Sequence, residues 1–325
     1  ELTNLSCFDR QEVIIRIFAS RAQTKEAVLQ VELARLQYSL PRLQHMNRDL
    51  SRQRGGAFGN KGSGETQLEL DSRKIHERIT QTKRELLEVE INRQTQRKNR
   101  GKYPSCALVG YTNAGKSSLL NALTGSEAFV EDQLFATLDP LTRKLPLNEG
   151  SSVLITDTVG FISNLPHSLI DAFKSTLEEA AYADLLLIVL DSADENALEQ
   201  YETVCDVLEE IEADKNPRLI LLNKVDKAKE TSEENLQKLR IKFPDSLCVS
   251  AKERTGFDEL KEKIYDTLLG EKLDYIIPVN QGTLINELKK SGNIESEEWL
   301  EDGVHIRTRA TGRLLALLSP YTVSK

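Results

Sequence analysis

Leu29, Leu33, Leu36 and Leu40 recur at alternating intervals of four and three residues, the period of one helical face, in a stretch otherwise rich in Glu, Gln and Arg. The same alternation returns at Ile75, Ile79, Thr82, Leu86 and Val89. Two helices with narrow apolar stripes and charged outer faces predict an antiparallel helical hairpin. The first helix begins at Ala19 and is ended or kinked by Pro41, and the second starts near Glu65. Both stripes read as packing surfaces. Ahead of them, Ile14, Ile15 and Ile17 read as the end of a strand.

From Tyr103 the pattern changes. Short continuous apolar runs at 106–109, 153–156, 185–190, 219–222 and 247–249 alternate with helical patterns, as a mostly parallel sheet requires. Beyond Leu273 it changes again. Tyr275-Ile276-Ile277 is strand-like and 283–288 helical. Glu298-Trp299-Leu300 and Val304-His305-Ile306 flank Asp302-Gly303, a hairpin signal, and 312–318 predicts a last short helix. Trp299 is expected in the core. The expected fold class is α/β, a domain with a mostly parallel sheet, preceded by a long antiparallel helical hairpin and followed by a small α+β domain. The expected boundaries are 1–102, 103–272 and 273–325.

The chemistry sits at the ends of the predicted strands. After the run at 106–109 comes Gly110-Tyr111-Thr112-Asn113-Ala114-Gly115-Lys116-Ser117, and a helical pattern opens at Ser118. This is a complete phosphate-binding loop in its proper strand-loop-helix context. Gly110 and Gly115 let backbone N–H groups face phosphates, and the helix N-terminus adds partial positive charge. Lys116 can reach the β- and γ-phosphates, and the Ser117 hydroxyl can bind Mg²⁺. Asn223-Lys224-Val225-Asp226 follows the run at 219–222, at the strand edge where open α/β sheets bind ligands. The Asp226 carboxylate can accept from N1–H and the 2-amino group of guanine, donors that adenine lacks. Ser250-Ala251-Lys252 follows the run at 247–249 and can cover the guanine carbonyl. In this order the motifs select GTP over ATP.

Asp157-Thr158-Val159-Gly160 ends the run at 153–156. Asp157 is expected to hold Mg²⁺ through water, and the Gly160 N–H to contact the γ-phosphate. Thr137, in Phe135-Ala136-Thr137-Leu138-Asp139-Pro140, is the candidate switch threonine closing on Mg²⁺ and the γ-phosphate. The catalytic set is therefore Lys116, Thr137 and Gly160. The ordered set resembles the translation-factor-like class of small GTPases. One position departs: where Ras-like enzymes place a water-orienting Gln, this chain has Phe161. A phenyl ring makes no strong hydrogen bond, so slow hydrolysis, accelerated by a partner, is expected. Asn113 is a candidate K⁺ ligand, by resemblance to potassium-dependent GTPases with Asn at this loop position.

Charge adds a partner. Between Arg42 and Lys102 lie fifteen Lys/Arg and eight Asp/Glu, a net of +7 within an overall −8. A basic segment on an acidic protein points to a local polyanion contact. Between the helices, five glycines fall within residues 55–64, lined by Arg48, Arg52, Arg54 and Lys61, with Phe58 the one aromatic. Such a tip suits a nucleic-acid crevice, with cations on phosphates and Phe58 on a base. Cys7, Cys106, Cys205 and Cys248 form no Cys-x-x-Cys pair and read as reduced thiols of a cytoplasmic protein, Cys106 and Cys248 in buried strands. Neither a membrane-spanning run nor a secretory leader pattern is present.

These residues together resemble the HflX family of ribosome-associated GTPases. The stretch 29–43 resembles its first long helix, and Gly62-Ser63-Gly64-Glu65-Thr66-Gln67-Leu68-Glu69 its glycine-rich tip, with Ser63 where the family places Pro. The phosphate loop, Phe135 to Pro140 and Asp157 to Ile162 match its GTPase motifs. The family begins with an α/β subdomain, whose tail would correspond to residues 1–18. The resemblance implies binding to the rRNA of the large ribosomal subunit in the GTP state and splitting or rescue of stalled ribosomes. The chain is expected to act as a monomer on GTP and GDP, without DNA or membrane insertion. A GTPase of tRNA modification or RNA maturation, and a scaffold using its coiled coil, are alternatives.

Overall fold

The computed structural model describes residues 7–53, 67–100, 103–125, 138–147, 151–163, 167–270, 272–291, 294–310 and 312–323. Its centre is a six-stranded sheet of β1 (Ser105–Gly110), β2 (Leu141–Pro146), β3 (Ser152–Asp157), β4 (Leu185–Asp191), β5 (Arg218–Asn223) and β6 (Leu247–Cys248), in the order β2-β3-β1-β4-β5-β6. Only β2 runs antiparallel, to β3. The parallel strands are near-continuous apolar runs because both sheet faces are covered. In β1, Ala107 and Val109 face the core built with α5 (His167–Ala181), α6 (Ala197–Glu210), α7 (Val225–Thr231) and α8 (Glu233–Lys242). Cys106 and Leu108 face the opposite core, with α4 (Lys116–Thr124) and α9 (Phe257–Leu269). Cys106 is buried, and Cys248 only half-buried.

Register brings the strand ends together. Leu108 lies opposite Asp157, Gly110 opposite Val189, Asp191 opposite Asn223 and Leu222 opposite Cys248. The carboxyl ends of β1, β3, β4 and β5 therefore share one edge, the ligand edge of an open parallel sheet.

Three helices precede the sheet: α1 (Arg10–Arg21), α2 (Lys25–Gln53) and α3 (Gln67–Arg100). The strand expected at 14–17 is instead the middle of α1. Asp9 caps α1, accepting from the Glu12 N–H at 2.8 Å, and Ile14, Ile15 and Phe18 fall on one helical face and are buried. Burial of that face overrides the β preference of the isoleucines. Pro41 does not end the helix, since α2 runs through it to Gln53. The stripe residues Ile79 and Leu86 of α3 pack toward the cluster that α1 and α2 build, and Thr82 between them is fully buried, its hydroxyl donating to the Arg78 carbonyl at 2.8 Å. Arg78 also grips Glu32 of α2 with two donors, at 2.7 and 2.9 Å.

The C-terminal unit is an antiparallel sheet of β7 (Lys272–Ile277), β8 (Ile294–Leu300) and β9 (Gly303–Arg309), ordered β7-β9-β8, with α10 (Gly282–Ser291) and α11 (Gly312–Leu318). A tight hairpin with Glu301 and Asp302 at its turn joins β8 to β9, one residue earlier than the Asp302-Gly303 signal places it. Trp299 is not core: it is 58% exposed on the edge strand β8, its indole N–H donating to Glu297 at 2.7 Å. Buried Arg309 ties this unit to α9. Its guanidinium lies over the Tyr265 ring, donates to the Asp266 carboxylate, and reaches the Gly270 carbonyl at 3.1 Å. No helix among the described residues is long and apolar enough to cross a membrane.

Candidate active site

The loop 110–117 joins β1 to α4. Gly115 has φ 93°, and a Cβ there would lie 2.3 Å from the Asn223 side-chain nitrogen, so the position requires glycine. Asn113 also adopts the left-handed region, with φ 62° and an exposed side chain. Lys116 is buried, its ammonium donating to the carbonyls of Gly110 at 3.0 Å and Tyr111 at 2.9 Å. Burial lowers its pKa to about 8, against the opposing pull of Asp157.

Ser117, on the first turn of α4, donates to the Asp157 carboxylate at 2.6 Å. A hydroxyl and a carboxylate this close form the hard-oxygen donor set that suits Mg²⁺. Thr158 is committed elsewhere, its hydroxyl donating to the Leu108 carbonyl at 2.7 Å and fixing the turn after β3. Gly160 sits tightly against the loop: a Cβ on it would lie 2.9 Å from Thr112 Cα and 3.0 Å from Lys116 Nζ. Beyond it, the Phe161 N–H donates to the Gly110 carbonyl at 3.1 Å, and the Thr112 N–H to the Phe161 carbonyl at 2.8 Å. The Phe161 ring is 1% exposed and packs with Val109, Leu177 and Ile188. It is a core side chain, and the bonds that the position after Gly160 makes to the loop come from its backbone.

The base-side motifs fasten to the phosphate loop. Buried Asn223 donates to the Ala114 carbonyl at 2.8 Å and accepts from the Ala251 N–H at 3.2 Å. Lys224 reaches the Asn113 carbonyl at 2.8 Å and pairs with Asp191 at 2.8 Å. Asp226 accepts from the Ser250 hydroxyl at 2.7 Å, and that hydroxyl in turn accepts from the Glu253 N–H at 3.0 Å. Asn223, Lys224, Asp226, Ser250 and Ala251 thus meet at one edge, with Lys252 exposed beside them.

The segment after β3 also meets the helices. Val159 shares a buried cluster with Ile14, Ile15 and Phe18 of α1, Ala27, Val31 and Ala34 of α2, and Leu169 and Phe173 of α5. Leu138 belongs to the same cluster, and Ile162 packs against it. The Phe18 and Phe173 rings meet edge-on at 4.6 Å between centroids. Ser163 accepts from Arg10 at its carbonyl, and the Tyr111 hydroxyl accepts from its N–H at 3.0 Å.

Among the residues singled out in the sequence, Gly110 to Ser117, Ser118, Asp157 and Gly160 share the phosphate end of this edge. Phe135, Thr137, Arg54, Phe58 and Lys61 lie outside the described residues, and Arg48 and Arg52 fall on the last part of α2. Sequence reasoning missed Asp191, whose signal was a lone carboxylate closing the apolar run of β4. It also missed Ser163, whose role depends on contacts that no local pattern encodes.

A phosphate loop at the end of β1, a carboxylate at the end of β3 and a base-side pair at the ends of β5 and β6 define a P-loop GTPase. Residues 105–224 match the family model described as "50S ribosome-binding GTPase", and residues 21–100 match "GTP-binding GTPase Middle Region". The GTPase HflX of Caldanaerobacter subterraneus is 44% identical over 320 residues, covering 97% of this chain and 73% of its own. That of Escherichia coli is 42% identical over 299 residues, covering 91% and 70%. The chain belongs to the HflX family and is a GTP-hydrolysing enzyme. A GTP-binding protein of the archaeon Sulfolobus solfataricus, solved with GDP, is similar in structure, with 30% identity and a TM-score of 0.50 over 80% of this chain and 72% of its own.

Proposed function

We propose that this GTPase acts in the cytoplasm on the large ribosomal subunit, binding its rRNA in the GTP state and splitting or rescuing stalled ribosomes. The observation that carries this reading is the cluster joining α1 and α2 to Val159 and Leu138. It seats the helical arm on the two segments that flank the phosphate site, so a rearrangement there would move the base of the arm, whose sequence between α2 and α3 is basic and glycine-rich. The match to a ribosome-binding GTPase family supports the choice of partner.

In this reading Lys116 and the Gly160 N–H hold the γ-phosphate, and Ser117, Thr137 and Asp157 hold Mg²⁺, Asp157 through water. The metal would neutralise charge on the β- and γ-oxygens. Asp226 reads guanine, with Ser250 orienting its carboxylate. Asn113 is the residue we assign to a monovalent cation. That assignment predicts faster hydrolysis in K⁺ than in Na⁺, lost in Asn113→Ala.

The test is co-sedimentation with purified large subunits, loaded with GDP or with a non-hydrolysable GTP analogue, over a salt series. The wild type should pellet with the analogue and not with GDP. Replacing Arg52, Arg54 and Lys61 by Ala should weaken binding and flatten its salt dependence, because fewer counterions are released, while nucleotide affinity stays unchanged. Equal pelleting by both proteins at every salt concentration, or binding to free tRNA in place of the subunit, would overturn the proposal.

A further inference from the structure

Lys224 joins the two halves of the nucleotide edge. Its ammonium donates to the Asn113 carbonyl at 2.8 Å, while the neighbouring Asn223 side chain donates to the Ala114 carbonyl at 2.8 Å. The end of β5 therefore grips two successive carbonyls of the phosphate loop. On its way the lysine stem passes Gly115, its Cε 3.8 Å from the point a Cβ there would occupy. Both residues at the ends of this bridge lie in the left-handed region, Lys224 at φ 61° and Asn113 at φ 62°.

A lysine side chain has many rotamers, and holding it in one costs entropy. What holds this one is Asp191, at the end of β4. One carboxylate oxygen accepts from the Lys224 ammonium at 2.8 Å, and the other accepts from the Ala193 N–H at 3.0 Å. The second bond fixes the carboxylate, so the oxygen that faces the lysine is aimed before the lysine arrives. The pair is largely shielded, the Asp191 side chain 14% exposed and that of Lys224 25%. In such a setting the loss of one partner strands the other. Sheet register supplies the alignment. Asp191 lies opposite Asn223, and the Ser192 N–H and hydroxyl both donate to the Asn223 carbonyl, at 2.9 and 2.7 Å.

We propose that Asp191 is a positioning residue for nucleotide binding, acting through Lys224. It locks the lysine that fixes the Asn113 carbonyl, and so holds the phosphate loop in its turn. Charge alone predicts the opposite sign. A carboxylate on this edge repels an anionic ligand, so its removal would tighten binding. A carboxylate that positions the lysine weakens binding when it is removed. The proposal rests on the reading of residues 110–117 and 223–226 as the nucleotide site.

Asp191→Asn keeps the shape and an acceptor for the Ala193 N–H, and removes the charge that holds the ammonium. Dissociation of fluorescent GDP and of a fluorescent non-hydrolysable GTP analogue should each quicken by about tenfold. Single-turnover hydrolysis at saturating GTP should change by less than about threefold, because the loss falls on binding and not on the reacting phosphate. Lys224→Met, which keeps the stem and removes the ammonium, should also weaken binding, and adding Asp191→Asn to it should weaken binding no further. Tighter or unchanged binding by Asp191→Asn alone would overturn the proposal. So would a further loss in the Lys224→Met background equal to that in the wild type, which would make the effect independent of the lysine. Hydrolysis lost as far as affinity would overturn it too, since a general disturbance of the site would give that result. Full affinity in Lys224→Met would overturn the reading of the site as well, whereas weak binding there beside intact binding in Asp191→Asn would overturn this proposal alone.

Discussion

Thr24 donates its hydroxyl to the carboxylate of Asp139, joining the break between α1 and α2 to the residue before Pro140. The same oxygen accepts from the Ala27 N–H at 3.1 Å, so it also caps α2. Two jobs fall on one exposed side chain. Thr24→Ala should lower the unfolding free energy by about 1 kcal/mol, mostly through the lost cap. Urea melts of Thr24→Ala, Asp139→Ala and the double variant check this. The single effects should add to more than the double effect, because both remove the same contact.

Asp226→Asn replaces an acceptor oxygen by an amide donor beside the Ser250 hydroxyl, which already points at the carboxylate. GTP affinity should fall by about 100-fold or more and xanthine nucleotide should gain. Competition binding with GTP, ATP and XTP checks this, and unchanged guanine preference would refute the role of Asp226.

Phe161 stands where Ras-like enzymes place a water-orienting Gln, and its burial makes it a stability residue. Phe161→Ala should cost about 3 to 5 kcal/mol of unfolding free energy through the cavity it leaves. Phe161→Leu should cost less than about 1.5 kcal/mol. Chemical denaturation at fixed pH separates the two, and near-wild-type stability of the alanine variant would contradict the packing described for the ring.

Lys116 has a pKa lowered to about 8 by burial. Bound phosphates should raise it, so nucleotide binding should take up a proton above pH 8 and none through this group well below it. Calorimetry in buffers of different ionisation enthalpy at pH 8.5 reads that uptake directly, and Lys116→Met should abolish it. The stability sign is opposite to that of a paired lysine. Between about pH 8 and 10.5 the unfolded chain binds more protons through this group, so the nucleotide-free protein gains stability from it as pH rises across that window.

The phosphate loop, the Asp157 turn and the base-side motifs were legible because each requires particular residue types at fixed spacing next to an apolar strand. Gly115 shows why: the Asn223 side chain leaves no room for a Cβ. The parallel sheet was legible from its continuous apolar runs for a related reason, since both faces are covered. The misses share another cause. The isoleucines of α1 have a β preference that only their burial against Phe173 and Ala27 overrides. Pro41 lies inside a helix despite its missing N–H donor. Trp299 lies on the edge strand, and edge position follows from strand order rather than from composition. The pairing of Lys224 with Asp191 joins the ends of two strands that only the sheet register brings side by side.

The cluster around Val159 contains side chains from the arm and side chains from the phosphate edge, with no polar layer between Phe18 and Phe173. Close-packed apolar contacts of this kind have few intermediate arrangements, so a change in the seating of the arm would be expected to involve the edge as well. A ligand that prefers one seating of the arm must then alter nucleotide affinity, and by the same factor that nucleotide alters its own. Measuring GTP and GDP affinity with the arm free and engaged would therefore give the factor by which each nucleotide changes the arm's grip, without the grip being measured at all.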